Sequence, residues 1–227
     1  MLWARAASRL PGVEVLGWDL PGHGAAPPVQ TPFDVTDLAD SVAVLAQERA
    51  QDRPVYYAGV SLGGAVGLAL ALRPATFSSV ATLCSAPRIG DAQTWQERAD
   101  LVREHGTAAV VDRSRQRWFA PGFAEREPGV AGALLDGLRA TDAESYALAC
   151  EALARCDLRQ QVARASLPLL AVTGAQDGVV TSEQVRDALP AAKHVELQDC
   201  GHLPPAEHPA AVAALLGTWL ALRGGAG

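Results

Sequence analysis

The four cysteines, Cys84, Cys150, Cys156 and Cys200, form no C-x-x-C pair, and no histidine clusters with them at zinc-like spacing. This argues against a zinc ribbon or finger and reads as reduced thiols in a cytoplasmic protein without a metal. Lys and Arg form no run, the formal net charge is −6 and the pI is about 5.3. Nucleic acid and anionic membrane surfaces are therefore poor partners. An anionic substrate would need a local cation, because the overall field opposes it. The first residues contain no secretory apolar region, since Arg5 and Arg9 interrupt them. Residues 54–72 are uncharged and approach membrane-spanning length. They contain Ser61 and the Gly63-Gly64 pair, with β-like residues before and helix formers after, so they read as a buried strand, a turn and a helix. There are no internal repeats.

What is present is a globular composition. Of 227 residues, 49% are hydrophobic and 19% charged, enough for one compact domain carrying an inserted subdomain. A short helix is expected over 2–10, a buried strand over 13–18 (VEVLGW) and a loop over 19–24. Val35, Leu38, Val42 and Leu45 fall at helical spacing after Asp34, a capping residue. Residues 54–58 and 80–84 read as strands around a helix at 62–72. The alternation implies an α/β fold with a mostly parallel sheet flanked by helices on both faces.

From 91 to 160 only helices are expected, one of them capped by Thr141 with Glu144. Trp95, Trp118, Phe119, Phe123 and Tyr146 concentrate there. This block reads as a helical cap inserted between two core parts, 1–90 and 161–227. The α/β pattern resumes with strands at 167–173 and 194–197, a helix capped by Thr181 with Gln184, and a closing helix over 209–222 that begins on Pro209. The Gly-Gly-Ala-Gly tail reads as disordered.

Gly59-Val60-Ser61-Leu62-Gly63 matches G-x-S-x-G between a predicted strand and a predicted helix. A serine on such a sharp turn projects its hydroxyl above the sheet, and glycines on either side leave room for the turn. The Leu62 N–H, at a helix N-terminus, can donate to an oxyanion. A phosphate-binding loop is excluded, because no Lys follows the glycines. The serine needs a base and the base an orienting carboxylate. His202, in a loop after the last strand, is the candidate base, and Asp177, in the loop after an earlier strand, the candidate acid. His23 reads as a turn residue near the mouth of the site, His105 as part of the cap, His194 as the start of a strand and His208 as part of the last helix. Asp199 is too near His202 in sequence to orient its ring, and Cys84-Ser85-Ala86-Pro87 offers no carboxylate.

Asp19-Leu20-Pro21-Gly22-His23-Gly24, the Ser61 turn, Gly174-Ala175-Gln176-Asp177 and Gly201-His202 together resemble the α/β-hydrolase family. Arg88-Ile89-Gly90, Trp95, Arg117-Trp118-Phe119-Ala120-Pro121-Gly122-Phe123, Ala140-Thr141 leading to Tyr146-Ala147, and Glu207-His208-Pro209 resemble the 3-oxoadipate enol-lactonases within it. The resemblance implies hydrolysis of a small lactone through an acyl-enzyme on Ser61, with no cofactor and no metal. It also implies a cation for the substrate carboxylate, with Arg88 and Arg117 as candidates, and pocket walls from Trp118 and Trp95. The alternatives are a general carboxylesterase, a cofactor-free perhydrolase or an inactive binding module. The resemblance places Met1 after the family's first three strands, one of which is central and carries a second oxyanion-hole donor. A chain starting too far downstream, or a fragment, is therefore expected, with weak or no activity.

Overall fold

The computed structural model describes residues 1–51, 53–73 and 77–224. Strands β1 (Tyr56–Val60), β2 (Ser79–Leu83), β3 (Leu169–Gly174) and β4 (Lys193–Leu197) form a sheet in the order β1-β2-β3-β4, every pair parallel. Register sets Val60 beside Leu83, Leu83 beside Val172, and Gly174 beside Leu197. The C-terminal ends of all four strands thus lie along one edge, and the loops leaving them are neighbours.

The sheet is buried on both faces, which explains why its central strands read as continuous apolar runs. Leu169 and Ala171 face one core with α2 (Val35–Ala50) and α3 (Leu62–Ala71). Leu170 and Val172 face the other, with Ala6 of α1 (Ala4–Ala7) and Val212, Leu216 and Trp219 of α11 (Pro209–Gly224). Between β2 and β3 come α4 (Ala92–His105), α5 (Val111–Trp118), α6 (Phe123–Arg126), α7 (Pro128–Arg139) and α8 (Ala143–Arg155). The order closes with α9 (Ser182–Ala188) before β4 and α10 (Pro204–Glu207) before α11.

Helix starts follow side-chain chemistry. Asp34 and Asp37 form a reciprocal capping box on α2, and Thr181 with Gln184 forms one on α9. α8 starts one residue later than the sequence suggests. Asp142 is its cap and accepts from Ser145 N at 2.8 Å, while Thr141 Oγ1 turns back to donate to Gly137 O. Residues 54–72 resolve into β1 and α3, and among the described residues no helix is long and apolar enough to cross a membrane. Of the Gly-Gly-Ala-Gly tail, 225–227 lie outside the described residues.

Residues 13–18 do not form the expected strand. A parallel strand exists only through a hydrogen-bonded neighbour, and the described sheet ends at β1, which pairs with β2 alone. Val13, Val15 and Leu16 are accordingly 40%, 48% and 47% exposed.

Candidate active site

Ser61 is the residue between β1 and α3, with φ 54° and ψ −118°. A non-glycine residue holding such angles costs about 1–3 kcal/mol and persists only where its surroundings enforce it. Ser61 N donates to Leu83 O at 2.9 Å, tying the turn to the end of β2. A Cβ on Gly59 would overlap the Gly63 carbonyl, and one on Gly64 would overlap the Ser85 side chain. Gly63 differs: a Cβ there would meet nothing nearer than the Tyr57 hydroxyl at 3.7 Å. The close approaches therefore demand Gly59 and Gly64, and not, as the motif suggests, Gly63. The Ser61 hydroxyl makes no capping bond to α3. Leu62 is the first residue of that helix, so its N–H has no intrahelical acceptor and stands at the positive end of the helix dipole.

His202 and Asp177 meet. His202 Nδ1 lies 3.0 Å from both carboxylate oxygens of Asp177. The histidine side chain is 3% exposed and the aspartate side chain 0%. Asp177 Oδ1 also accepts from Val179 N at 2.7 Å and Val180 N at 3.3 Å, which fixes the carboxylate plane. With Nδ1–H donating a hydrogen bond to the Asp177 carboxylate, Nε2 is left as an acceptor for a hydroxyl proton. Asp199, set aside on sequence grounds, is exposed and reached by Gln176 Nε2 at 3.5 Å.

Sequence reasoning passed over Cys84, which directly follows β2 with φ 47°. Its Sγ, an Asp177 oxygen and a His202 nitrogen all lie within 4.8 Å of one another, and the thiol donates to Gly201 O. Burial, and then the Asp177 charge, push this thiol well above its usual range. A thiol held protonated is a poor metal ligand, and the carboxylate and imidazole are engaged with each other. This trio is chemically a supported acid–base pair. The only sequence signal was the position, directly after a sheet strand.

The proposed binding residues separate. Arg88 pairs with Asp157 at 3.1 Å, a carboxylate that also binds Arg159. Arg117 lines a cleft of about 30 Å³ with Trp95, Arg98, Arg113 and Val179. Arg98 donates to Tyr146 Oη at 2.9 Å and Ser114 Oγ at 2.7 Å, and Arg117 to Gly178 O at 3.4 Å. Among the described residues none of these three guanidiniums forms a salt bridge. Burial, then the charges of Arg113 and Arg98, pull Arg117 below its usual range. Trp118 O accepts from His202 N at 2.9 Å. His23 stacks on Tyr146, and its Nδ1 contacts Pro21 O at 2.9 Å; burial lowers its pKa. A larger cavity of about 360 Å³ lies between β3, β4 and α11 and contains none of these residues.

Comparison with known proteins places the chain in a family. Residues 2–215 match the model of the alpha/beta hydrolase family. The chain is 37% identical to 3-oxoadipate enol-lactonase 2 of Acinetobacter baylyi, over 87% of this chain and 74% of that protein. It is 30% identical to the pimeloyl-[acyl-carrier protein] methyl ester esterase of Neisseria meningitidis serogroup C, over 91% of this chain and 83% of that one. The crystal structure of the enol-lactonase from Burkholderia xenovorans LB400 superposes with a TM-score of 0.90 at 32% identity, covering 97% of this chain and 86% of that chain. The chain belongs to the alpha/beta hydrolase family.

Proposed function

We propose that this protein hydrolyses a small carboxylate-bearing lactone, best matched by 3-oxoadipate enol-lactone, through an acyl-enzyme on Ser61. The observation that carries the reading is the buried Asp177–His202 pair standing over the same sheet edge as Ser61. His202 Nε2 takes the Ser61 proton as Oγ attacks the lactone carbonyl. The Leu62 N–H stabilises the oxyanion. The ring C–O bond then breaks, and His202 returns the proton to the enol oxygen; the enol stays tethered to the acyl chain on Ser61 and tautomerises to a ketone. Water, deprotonated by His202, cleaves the acyl-enzyme and frees the acid.

Residues 91–160 act as a cap that recognises the remote carboxylate. The cleft between Trp95, Arg98, Arg113 and Arg117 has about the volume of one water, the scale of a carboxylate and not of a whole lactone. An anion there would relieve the mutual repulsion of the arginines. Trp118, joined by its main chain to His202, stands where the two regions meet.

A second reading, methyl-ester hydrolysis on a carboxyl-bearing acyl chain, is favoured by the 30% identity to the pimeloyl esterase. Turnover of 3-oxoadipate enol-lactone and of a pimelate methyl ester, each with a Ser61→Ala control, separates them. Lactone hydrolysis above the Ser61→Ala control, at however low a rate, is expected. No lactone turnover, with serine-dependent cleavage of the methyl ester, would replace the first reading by the second.

A further inference from the structure

We propose that Glu207 is a positioning residue that sets the His202 ring by clamping the main chain on both sides of it to the 118–120 segment. The carboxylate accepts from Gly201 N at 3.1 Å and from Leu203 N at 3.2 Å, the main-chain N–H groups of the two residues on either side of His202. It also accepts from Ala120 N at 2.8 Å, in the segment that follows α5. His202 N itself donates to Trp118 O. Three consecutive N–H groups, at 201, 202 and 203, are thus all committed to this one junction.

The local sequence leaves the carboxylate free for this task. Pro204 and Pro205 open α10 and have no N–H to offer. The nearest donors are those of the histidine loop and of the 118–120 segment. Packing makes the junction tight: a Cβ on Gly201 would come within 2.6 Å of Ala120 N and 2.8 Å of Phe119 C. On the other side, a Cβ on Gly174 would overlap the Gly201 and Cys200 carbonyls. The loop is therefore held between the end of β3 and residues 118–120, and Glu207 closes the join.

A carboxylate suits this work because two oxygens supply acceptor sites for three donors. A glutamine has one oxygen, and its NH₂ would face a donor. The same junction joins the base to the arginine cleft, because α5 carries Arg113 and Arg117 and runs directly into 118–120. Through this path, an anion held by those arginines also fixes the segment against which His202 is set.

The proposal rests on His202 being the base, so the experiment separates the two claims. Wild type, Glu207→Gln, Ala120→Pro and His202→Ala are compared on 4-nitrophenyl acetate, with labelling by a fluorophosphonate to count reactive serines and thermal unfolding to count folded protein. Glu207→Gln is expected to lower kcat about 10–100-fold per folded molecule, with KM within about twofold and labelling slowed in parallel. Ala120→Pro removes this residue's donor after an extended Phe119 and sets a ring carbon against the Glu207 carboxylate, so the 118–120 arm of the clamp is lost. It should lower kcat by about threefold to tenfold, and it carries the test if Glu207→Gln does not fold. Wild-type kcat in the variants, or a raised KM at wild-type kcat, overturns the clamp. Turnover surviving in His202→Ala overturns the base assignment beneath it.

Discussion

Replacing Asp177 by Asn is the sharpest perturbation of the acid–base pair. Asn has nearly the same shape, so the buried site keeps its packing. Asp177 Oδ1 is held by Val179 N and Val180 N, so the amide oxygen of Asn stays on those donors. The NH₂ must then face His202 Nδ1, now 3.0 Å from the carboxylate. Nδ1 becomes an acceptor, and the ring proton moves to Nε2. That nitrogen can no longer take a proton from Ser61. The expected loss in kcat is about 10⁴-fold, the scale found when a triad acid is replaced by its amide, or roughly 5 kcal/mol of barrier. Serine labelling by a fluorophosphonate should slow in proportion, while the unfolding midpoint moves little. The assay is kcat for the lactone and for 4-nitrophenyl acetate, set against Ser61→Ala. An Asp177→Asn enzyme within tenfold of wild type on both substrates would refute the assignment of Asp177 and the tautomer argument together.

Arg117→Gln should raise KM for the lactone about 10–100-fold, the worth of a hydrogen bond to a charged group, while KM for 4-nitrophenyl acetate stays within about twofold. Equal effects on both substrates would remove the carboxylate from the cleft. Gly63→Ala should fold and turn over like wild type, because its Cβ meets only open space and Tyr57 Oη, whereas Gly59→Ala should lose both fold stability and activity. Steady-state kinetics beside thermal melts decides between them. None of the four thiols should react with a disulfide reagent at pH 8 in the native protein. All are buried, and burial pushes Cys150 up to about 12 and Cys156 up to about 11, leaving a thiolate fraction of about 10⁻³ or less. Rapid release of one or more equivalents before unfolding would contradict that.

The parts of this protein legible in its sequence are those whose physics is local. The Ser61 turn is one, because strand, glycine, serine and helix occupy consecutive residues. The helix caps at Asp34 and Thr181 are others, each needing only a side chain three residues from its partner. At α8 the same logic had two candidates side by side. Asp142 took the Ser145 N–H, and Thr141 satisfied its hydroxyl one turn back, a competition that no single-residue preference resolves. Residues 13–18 failed for the opposite reason, since a strand is a relation between segments and an apolar run specifies only one of them.

The site divides in the same way. The pairing of His202 with Asp177 could be read from chain order and from loops at strand ends. The cationic cleft could not, because Arg98 lies on α4 and Arg113 and Arg117 on α5, and only the packing of those helices brings them together. Arg88 read as equally eligible until Asp157, 69 residues away, was seen to bind it. Glu207 stood in a family-like run whose purpose no spacing disclosed, since its three donors come from residues 120, 201 and 203. The Ser61 turn and the loops that carry Asp177 and His202 are thus written into short segments. The arginine cleft forms only where α4 and α5 pack together, so substitutions at Arg98 and Arg117 are the ones on which substrate choice should turn, whereas substitution of Glu207 should slow turnover of any substrate.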